Sequence, residues 1–255
     1  MKRLSREKIE SAAARLYARA QSNLQPDAAI VLECCSESES RDEARKALED
    51  MCERFREAAE KGEPLCLYSD LATVLAEFSM RLFVSGNDIA DAVWAAVPQE
   101  TETELMMAAV PQGEELRLTM SLGCKAMRAR DGVKAVENAD ETVKFVLKQM
   151  DIAAEKPCAP FIIGVGLDSD RDDAAALSRC ALTTMIGKRN DDPELEALEE
   201  RIKAAVDSTG YGALGLGGDH TALGVSVLGG FAESGKTFAA VSFGCHALRN
   251  KTIIL

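Results

Sequence analysis

Apolar residues recur along this chain with a helical spacing in some stretches and in short continuous runs in others, and these two patterns mark out most of its elements. From Ser5 to Ala20 the positions Ile9, Ala12, Ala13 and Leu16 fall on one face of a helix. Asn23 to Asp27 interrupts that helix. Ala28 to Cys35 is a short apolar stretch that periodicity does not assign, ended by the polar run SESES. A second helix is expected from Arg41 to Lys61, with Leu48, Met51, Cys52, Phe55 and Ala59 on its apolar side and Gly62 stopping it. Leu71 to Phe78 reads as a strand. Asn87 or Asp88 is placed to cap a helix through Val97. Leu105–Val110 and Leu116–Leu122 read as two strands joined by a turn at Pro111-Gln112-Gly113.

Further on, Asn138 opens a helix through Met150 with Val143, Phe145, Val146 and Met150 apolar. Phe161 to Leu167 is an apolar strand that ends in glycines. Asp170 or Asp172 can cap the next helix, which runs through Ile186 and contains Cys180. Asp192-Pro193-Glu194 starts another, with proline in its first turn, ending near Thr209-Gly210. The glycine-dense stretch from Gly210 to Gly230 is almost free of charge. Glycine there suits backbone packed tightly or held at positive φ. Phe238 to Phe243 is a buried strand running into Gly244-Cys245-His246. The order of elements, helical at the front with strands and helices mixed behind, indicates a mixed α/β chain. Residues 1–62 form a helical N-terminal subdomain and 63–255 a mixed α/β part, together one continuous unit.

Composition narrows the class. At 47% hydrophobic and 28% charged residues the chain can build a sizeable core, which excludes disorder. A formal net charge of -12 provides no basic face for nucleic acid, while local arginines can still attract a small anion inside a cleft. No apolar run approaches membrane-spanning length, and Met1 to Ala20 is charged throughout, unlike a secretory leader. A cytoplasmic location is therefore expected, where disulfides among the eight cysteines are disfavoured. With no CxxC pair and only two histidines, a compact zinc knuckle is excluded, so any metal site gathers ligands from distant parts of the chain.

Three cysteines stand out. Cys66, Cys158 and Cys245 each lie within two residues of proline or glycine, near the edge of an apolar strand. Thiolates are soft ligands suited to iron-sulfur clusters, and three of them on a four-iron cluster leave one iron open as a Lewis acid. The plainer alternative is three buried cysteines. Cys52 belongs to a helical core stripe, Cys180 is mid-helix, the Cys34-Cys35 pair borders a loop, and Cys124, just past a strand, stays ambiguous. Glycines 212, 215, 217 and 218 lack the Gly-Lys-Ser/Thr of a phosphate loop, and Gly164-Val165-Gly166 is too short for a dinucleotide signature. The segment after it can present N–H groups to an anion at a helix start, or be a tight strand-to-helix turn. His246 can donate to a substrate or a cluster sulfur, or be structural. His220, directly after Asp219, is a candidate proton carrier. Arg249 can grip a carboxylate with two hydrogen bonds, or be an ordinary surface arginine.

Three stretches together carry a family resemblance from about residue 5 to 250: PLCLYSD, then KPCAPFIIGVGLDSDRDDAAALSRCAL, then NDDPELEALEERI with TGYGALGLGGDHTALGVSV and GCHALRN. The chain resembles the alpha subunit, or N-terminal catalytic domain, of class I iron-sulfur fumarase and L-tartrate dehydratase. The resemblance implies an α+β fold of helices and small β-sheets of that alpha-subunit type, and a [4Fe-4S] cluster, one that aerobic handling can remove, on Cys66, Cys158 and Cys245. It implies a hydro-lyase that adds or removes water on a small anionic carboxylate, with the open iron as Lewis acid. It also implies a second domain or a beta-type subunit that completes the site, and a homodimer or heterotetramer.

Several positions depart from the family pattern. Leu67 and Tyr68 stand where a glutamine and an aspartate follow the first cysteine. Gly123, Cys124 and Lys125 fall in a segment that is normally Lys-Gly-Gly-Gly-Ser-Glu. Asp219 and His220 occupy a Gly-Gly-Lys-Thr-Thr segment, and Glu233 to Lys236 lack the usual histidine. The short polar stretch Pro98 to Leu105 lacks the family's arginine- and asparagine-rich segment. On a hydro-lyase reading Cys124, Asp219 and His220 replace lost groups, Asp70 stands in for the missing aspartate, and His246 and Arg249 complete the candidate catalytic set. The alternatives are a non-catalytic relative acting as a binding or assembly subunit, and a different reaction at the open iron, such as handling a sulfur-containing ligand.

Overall fold

The first helical stripe is fully buried, as its spacing requires. A computed structural model of the chain describes residues 3–21, 71–111, 113–123, 132–153, 159–184, 186–212, 218–244 and 249–255. In it Arg6–Gln21 is helix α1, with Ile9, Ala12, Ala13 and Leu16 shielded from solvent. The stretch 28–35, the helix expected at 41–61 and the division at residue 62 lie outside the described residues. The strands are β1 Leu71–Ser79, β2 Glu102–Val110, β3 Leu116–Gly123, β4 Gly132–Val136, β5 Phe161–Asp168, β6 Ala222–Gly229, β7 Thr237–Gly244 and β8 Arg249–Ile254. The other helices are α2 Gly86–Ala96, α3 Ala139–Ala153, α4 Arg171–Ala181 and α5 Pro193–Asp207. Helices and two small mixed sheets make this an α+β fold, and the described elements divide into two units.

One unit holds α1, α2 and a sheet in the order β2-β1-β3-β8. Strand alternation sends Ala72, Val74 and Ala76 of β1 and Leu116, Leu118, Met120 and Leu122 of β3 to one face. There they join the α1 stripe and Ile89, Ala92 and Val93 of α2 in one core. Each such leucine or isoleucine contributes about 1.5–3 kcal/mol relative to exposure.

β2 and β3 are both where the apolar runs place them, but they do not form the expected hairpin. β1 lies between them, parallel to β2 and antiparallel to β3. The β1-α2-β2 crossover uses one edge of β1 and leaves the other for β3. The connection from β2 to β3 therefore passes the end of β1, where Ser79 ties it down. The Ser79 hydroxyl donates to the Gly113 carbonyl at 2.6 Å, and its N–H donates to the Glu115 carbonyl at 3.0 Å. Gly113 has φ +87, a conformation that favours glycine. Ser85, not Asn87 or Asp88, occupies the N-cap of α2, with no side-chain cap bond.

The other unit holds α3, α4, α5 and a sheet in the order β4-β7-β5-β6. β5 runs parallel to β6 and antiparallel to β7. Here the glycine reading needs correction. Gly164 and Gly166 do not form a strand-to-helix turn; they lie within β5, under α4. A Cβ on Gly166 would come within 2.0 Å of the Ala174 carbonyl oxygen, and one on Gly164 within 2.2 Å of that of Ser178. The start of α4 is closed by its own carboxylate: Asp170 accepts from the N–H groups of Asp172 and Asp173 at 2.7 and 3.2 Å, leaving it ill-suited to an external anion.

α4 ends at Ala181 rather than Ile186. Leu182 and Thr183 donate their N–H groups to the carbonyls of Arg179 and Cys180, and the Thr183 hydroxyl adds a bond to Cys180 at 2.7 Å. The caps at Asn138 and Asp192 form as expected, accepting from Glu141 and Glu194 at 3.1 and 2.9 Å. Phe145, Val146 and Met150 of α3 are buried, as are Leu198 and Ile202 of α5. β4, β6 and β8 are strands that the apolar pattern does not reveal.

Candidate functional site

Strand pairing brings several of the candidate segments to common sheet ends. In the unit built on β5, Ile162 pairs with Gly244 and Phe161 with Ala222. The first residues of β5, three past Cys158, therefore share a sheet end with the last residue of β7, one before Cys245. The start of β6, two past His220, lies at that same end. Asp219 is exposed and His220 half-buried. Phe161, fully buried, fixes this end: its ring meets Phe243 edge-on at 5.6 Å and stacks on Tyr211 at 6.2 Å.

In the other unit, Leu71 pairs with Gly123 and Leu122 with Arg249. One end of that sheet thus holds the residue after Asp70, the residue before Cys124, and the backbone of Arg249 as the first position of β8. Cys66, Asp70, Cys124, Cys158, Cys245 and His246 lie outside the described residues, as does the side chain of Arg249. Among the described residues no group of three or more His, Cys, Asp or Glu is placed to hold a metal ion.

Two constellations escape sequence reading. Thr73, Ser121 and Asn250 are successive cross-strand partners on β1, β3 and β8, so they share one face. They are only 7%, 2% and 2% exposed, a polar row in strands whose opposite face is apolar. A polar residue repeating in register across three strands is the signal, but it needs the pairing to be known. The second is the junction of Asp207 with Thr221. Asp207 accepts from the N–H groups of Thr221 and Ala222 at 2.8 and 2.9 Å, holding the beginning of β6 to the end of α5.

A cavity of about 100 Å³ lies elsewhere, beside residues 226–228 of β6, and Thr184, Asn190 and Glu199 are among its lining residues. It contains none of the candidate residues. The Glu199 carboxylate accepts from the Val227 N–H at 2.8 Å and from the Asn190 amide at 2.9 Å, while the same amide nitrogen donates to the Val227 carbonyl at 2.8 Å. These bonds occupy the outer backbone groups of an edge strand.

Burial raises the pKa of Glu199 above the ordinary carboxylate value, more than its two donors lower it. The folded state therefore holds this proton more tightly than the unfolded chain. The resulting stabilisation is complete below the ordinary carboxylate pKa and is lost as pH rises through the folded value. Glu199→Gln removes that dependence while keeping an acceptor. Its stability relative to the parent chain is expected to improve as pH rises through this window, measured by urea unfolding across the acid range. A difference that is flat with pH would show that burial does not govern this carboxyl group.

Sequence comparison identifies the family. The family model described as fumarate hydratase (Fumerase) matches residues 10–111 and 104–254. The L(+)-tartrate dehydratase subunit alpha of Escherichia coli strain K12 is 28% identical over 171 residues, 67% of this chain and 53% of its own length. The subunit of the same name from Escherichia coli O157:H7 is 30% identical over 149 residues, 57% of this chain and 49% of its own. A Methanocaldococcus jannaschii protein that carries this name provisionally is 34% identical over 129 residues, 51% of this chain and 42% of its own. The chain thus spans about half the length of the curated relatives it matches. A match running from residue 10 to residue 254 covers the elements of both units, and the chain belongs to the fumarate hydratase (Fumerase) family.

Proposed function

We propose that this chain is the alpha-type part of an iron-sulfur hydro-lyase that adds or removes water on a small carboxylate. The observation that carries the reading is the family match across nearly the whole chain, within which Cys158 and Cys245 adjoin paired strands at one sheet end. Cys66, five residues before β1, is the proposed third ligand. The donor set fits the group: three thiolates suit an iron-sulfur cluster far better than a hard cation. When bound, such a cluster supplies an iron without a fourth protein ligand, which acts as a Lewis acid.

The chain's own residues carry the remaining work. Asp219 or His220 takes and returns the proton on the carbon beside the leaving hydroxyl, with Asp70 and His246 as further candidates for proton handling. Arg249 holds a substrate carboxylate. The relatives are named as alpha subunits, so the proposal includes a beta-type partner that completes the site. No described helix is long and apolar enough to cross a membrane.

One observation favours a second reading. Leu67 and Tyr68 replace a carboxamide and a carboxylate, and neither can take their roles, which suits a binding or assembly subunit. Anaerobic reconstitution with iron and sulfide separates the two. The hydro-lyase reading expects a brown protein with about four irons per chain, and hydration or dehydration of hydroxy- and dicarboxylic acids once a beta-type chain is added. A chain that takes up no iron ends the cluster reading. Full iron without turnover on any acid supports the second.

A further inference from the structure

Thr221 stands where three segments meet. It is fully buried, and its polar groups are engaged in three directions. Its N–H donates to the Asp207 carboxylate at 2.8 Å, at the end of α5. Its carbonyl accepts from the Phe161 N–H at 2.8 Å, at the start of β5. Its hydroxyl accepts from the Gly212 N–H at 3.0 Å. Asp207 is itself held, because Lys203 donates to its other oxygen at 2.6 Å.

The surroundings give this junction a purpose. Gly212 and Gly218 have φ +67 and +132, and a Cβ on Gly218 would lie 4.0 Å from the Gly212 Cα, at ordinary contact distance. Asp219 and His220 fill the two positions between Gly218 and Thr221. On the other side, Phe161 is the third residue after Cys158.

We infer that Thr221, held by Asp207, is a positioning residue. It ties the Asp219–His220 segment to the strand that begins just beyond Cys158, so that the two keep one register. Its catalytic meaning rests on the hydro-lyase reading above, but the coupling itself does not. Valine at this position keeps the shape and removes the acceptor, leaving the Gly212 N–H buried and unmet. Serine keeps the oxygen. Asp207→Asn removes the charge that strengthens the bonds to Thr221 and Ala222.

Two measurements on the full chain test this. The first is hydrogen exchange without any cluster, read on peptides covering 159–163 and 209–222. Thr221→Val is expected to speed exchange in both segments together by roughly tenfold or more. Asp207→Asn should do the same at Thr221 and Ala222, and Thr221→Ser should stay near the parent chain. Acceleration confined to 209–212, or spread evenly over β5, β6 and β7, overturns the inference: the first shows no coupling, the second a merely structural residue. The second measurement uses the reconstituted chain with its partner. Thr221→Val should lower kcat roughly tenfold while KM moves little, and should speed cluster loss in air, with Thr221→Ser restoring both. An unchanged kcat in an active enzyme overturns the positioning role. A parent chain that takes up no cluster instead defeats the hydro-lyase reading, and the exchange result still decides the coupling.

Discussion

Replacing any one of Cys66, Cys158 or Cys245 by serine is expected to leave the anaerobically reconstituted chain colourless, with iron falling from about four per chain to near zero. On the proposed assignment serine would offer a hard, protonated oxygen where a cluster needs a soft thiolate, and three protein ligands would leave none to spare. Cys180→Ser is the control. Cys180 is buried on α4, and its carbonyl is engaged by Thr183 at the helix end. That serine variant should keep its brown colour and its iron. Cys124→Ser is the informative fourth variant. Gly123 pairs with Leu71, so Cys124 follows a strand at the sheet end from which the chain leads back to Asp70 and Cys66. If Cys124 serves on the substrate side, its variant keeps iron and loses turnover. If Cys66→Ser keeps its iron and Cys124→Ser does not, the third ligand is Cys124.

Elements whose partners are local were legible in the sequence. The stripe Ile9, Ala12, Ala13, Leu16 needs only a helix and a core, and it lies buried in α1. Asp170 and Asp192 announce helix starts because a short carboxylate satisfies N–H groups two or three residues on. The continuous apolar run of β5 is bounded clearly enough to place within a residue. Elements that owe their identity to distant partners were not legible. β6 reads as a glycine run because Gly224 and Gly229 dilute its apolar residues, and only pairing with β5 makes it a strand. β8 begins with Arg249, Asn250 and Lys251, and it is specified by β3, far away in sequence. The failed hairpin has the same origin: a turn signal at Gly113 says that the chain reverses, not that the two strands it joins become neighbours.

The candidate site divides in the same way. The cysteines were conspicuous by their setting within two residues of proline or glycine, but the shared sheet end of the Cys158 and Cys245 segments follows from the pairing of Ile162 with Gly244, which no local pattern carries. Thr221 was hidden in the glycine run. Asp207 did leave a trace. It is the last residue of α5, where the helix dipole disfavours a carboxylate and where α5 has no basic residue in its last turn. Lys203, one turn earlier, pairs with one of its oxygens, and the N–H groups of Thr221 and Ala222, which no local pattern announces, meet the other.

Gly166→Ala is expected to destabilise the chain by about 3 kcal/mol or more, read as a lower urea midpoint at unchanged slope. The added carbon would lie 2.0 Å from the Ala174 carbonyl oxygen, 2.5 Å from the Ser178 nitrogen and 2.8 Å from the Leu177 Cβ. Two of those atoms are helix backbone, which cannot turn aside as a flexible side chain can, so α4 has to move away from β5. That movement would disturb the bond of 2.8 Å between the Ser178 and Ser242 hydroxyls, which sits within the same packing. Gly230→Ala is the matched control, since nothing lies within 4 Å of a Cβ there, and it should stay within about 0.5 kcal/mol of the parent. The pair also separates two reasons for a Gly-x-Gly ahead of a helix. A glycine kept for an anion-binding turn loses ligand and little stability when replaced, whereas one kept because a helix lies on the strand loses stability with no ligand present. A Gly166→Ala chain as stable as the parent would mean that α4 retreats without cost, and close packing would then no longer account for the glycine.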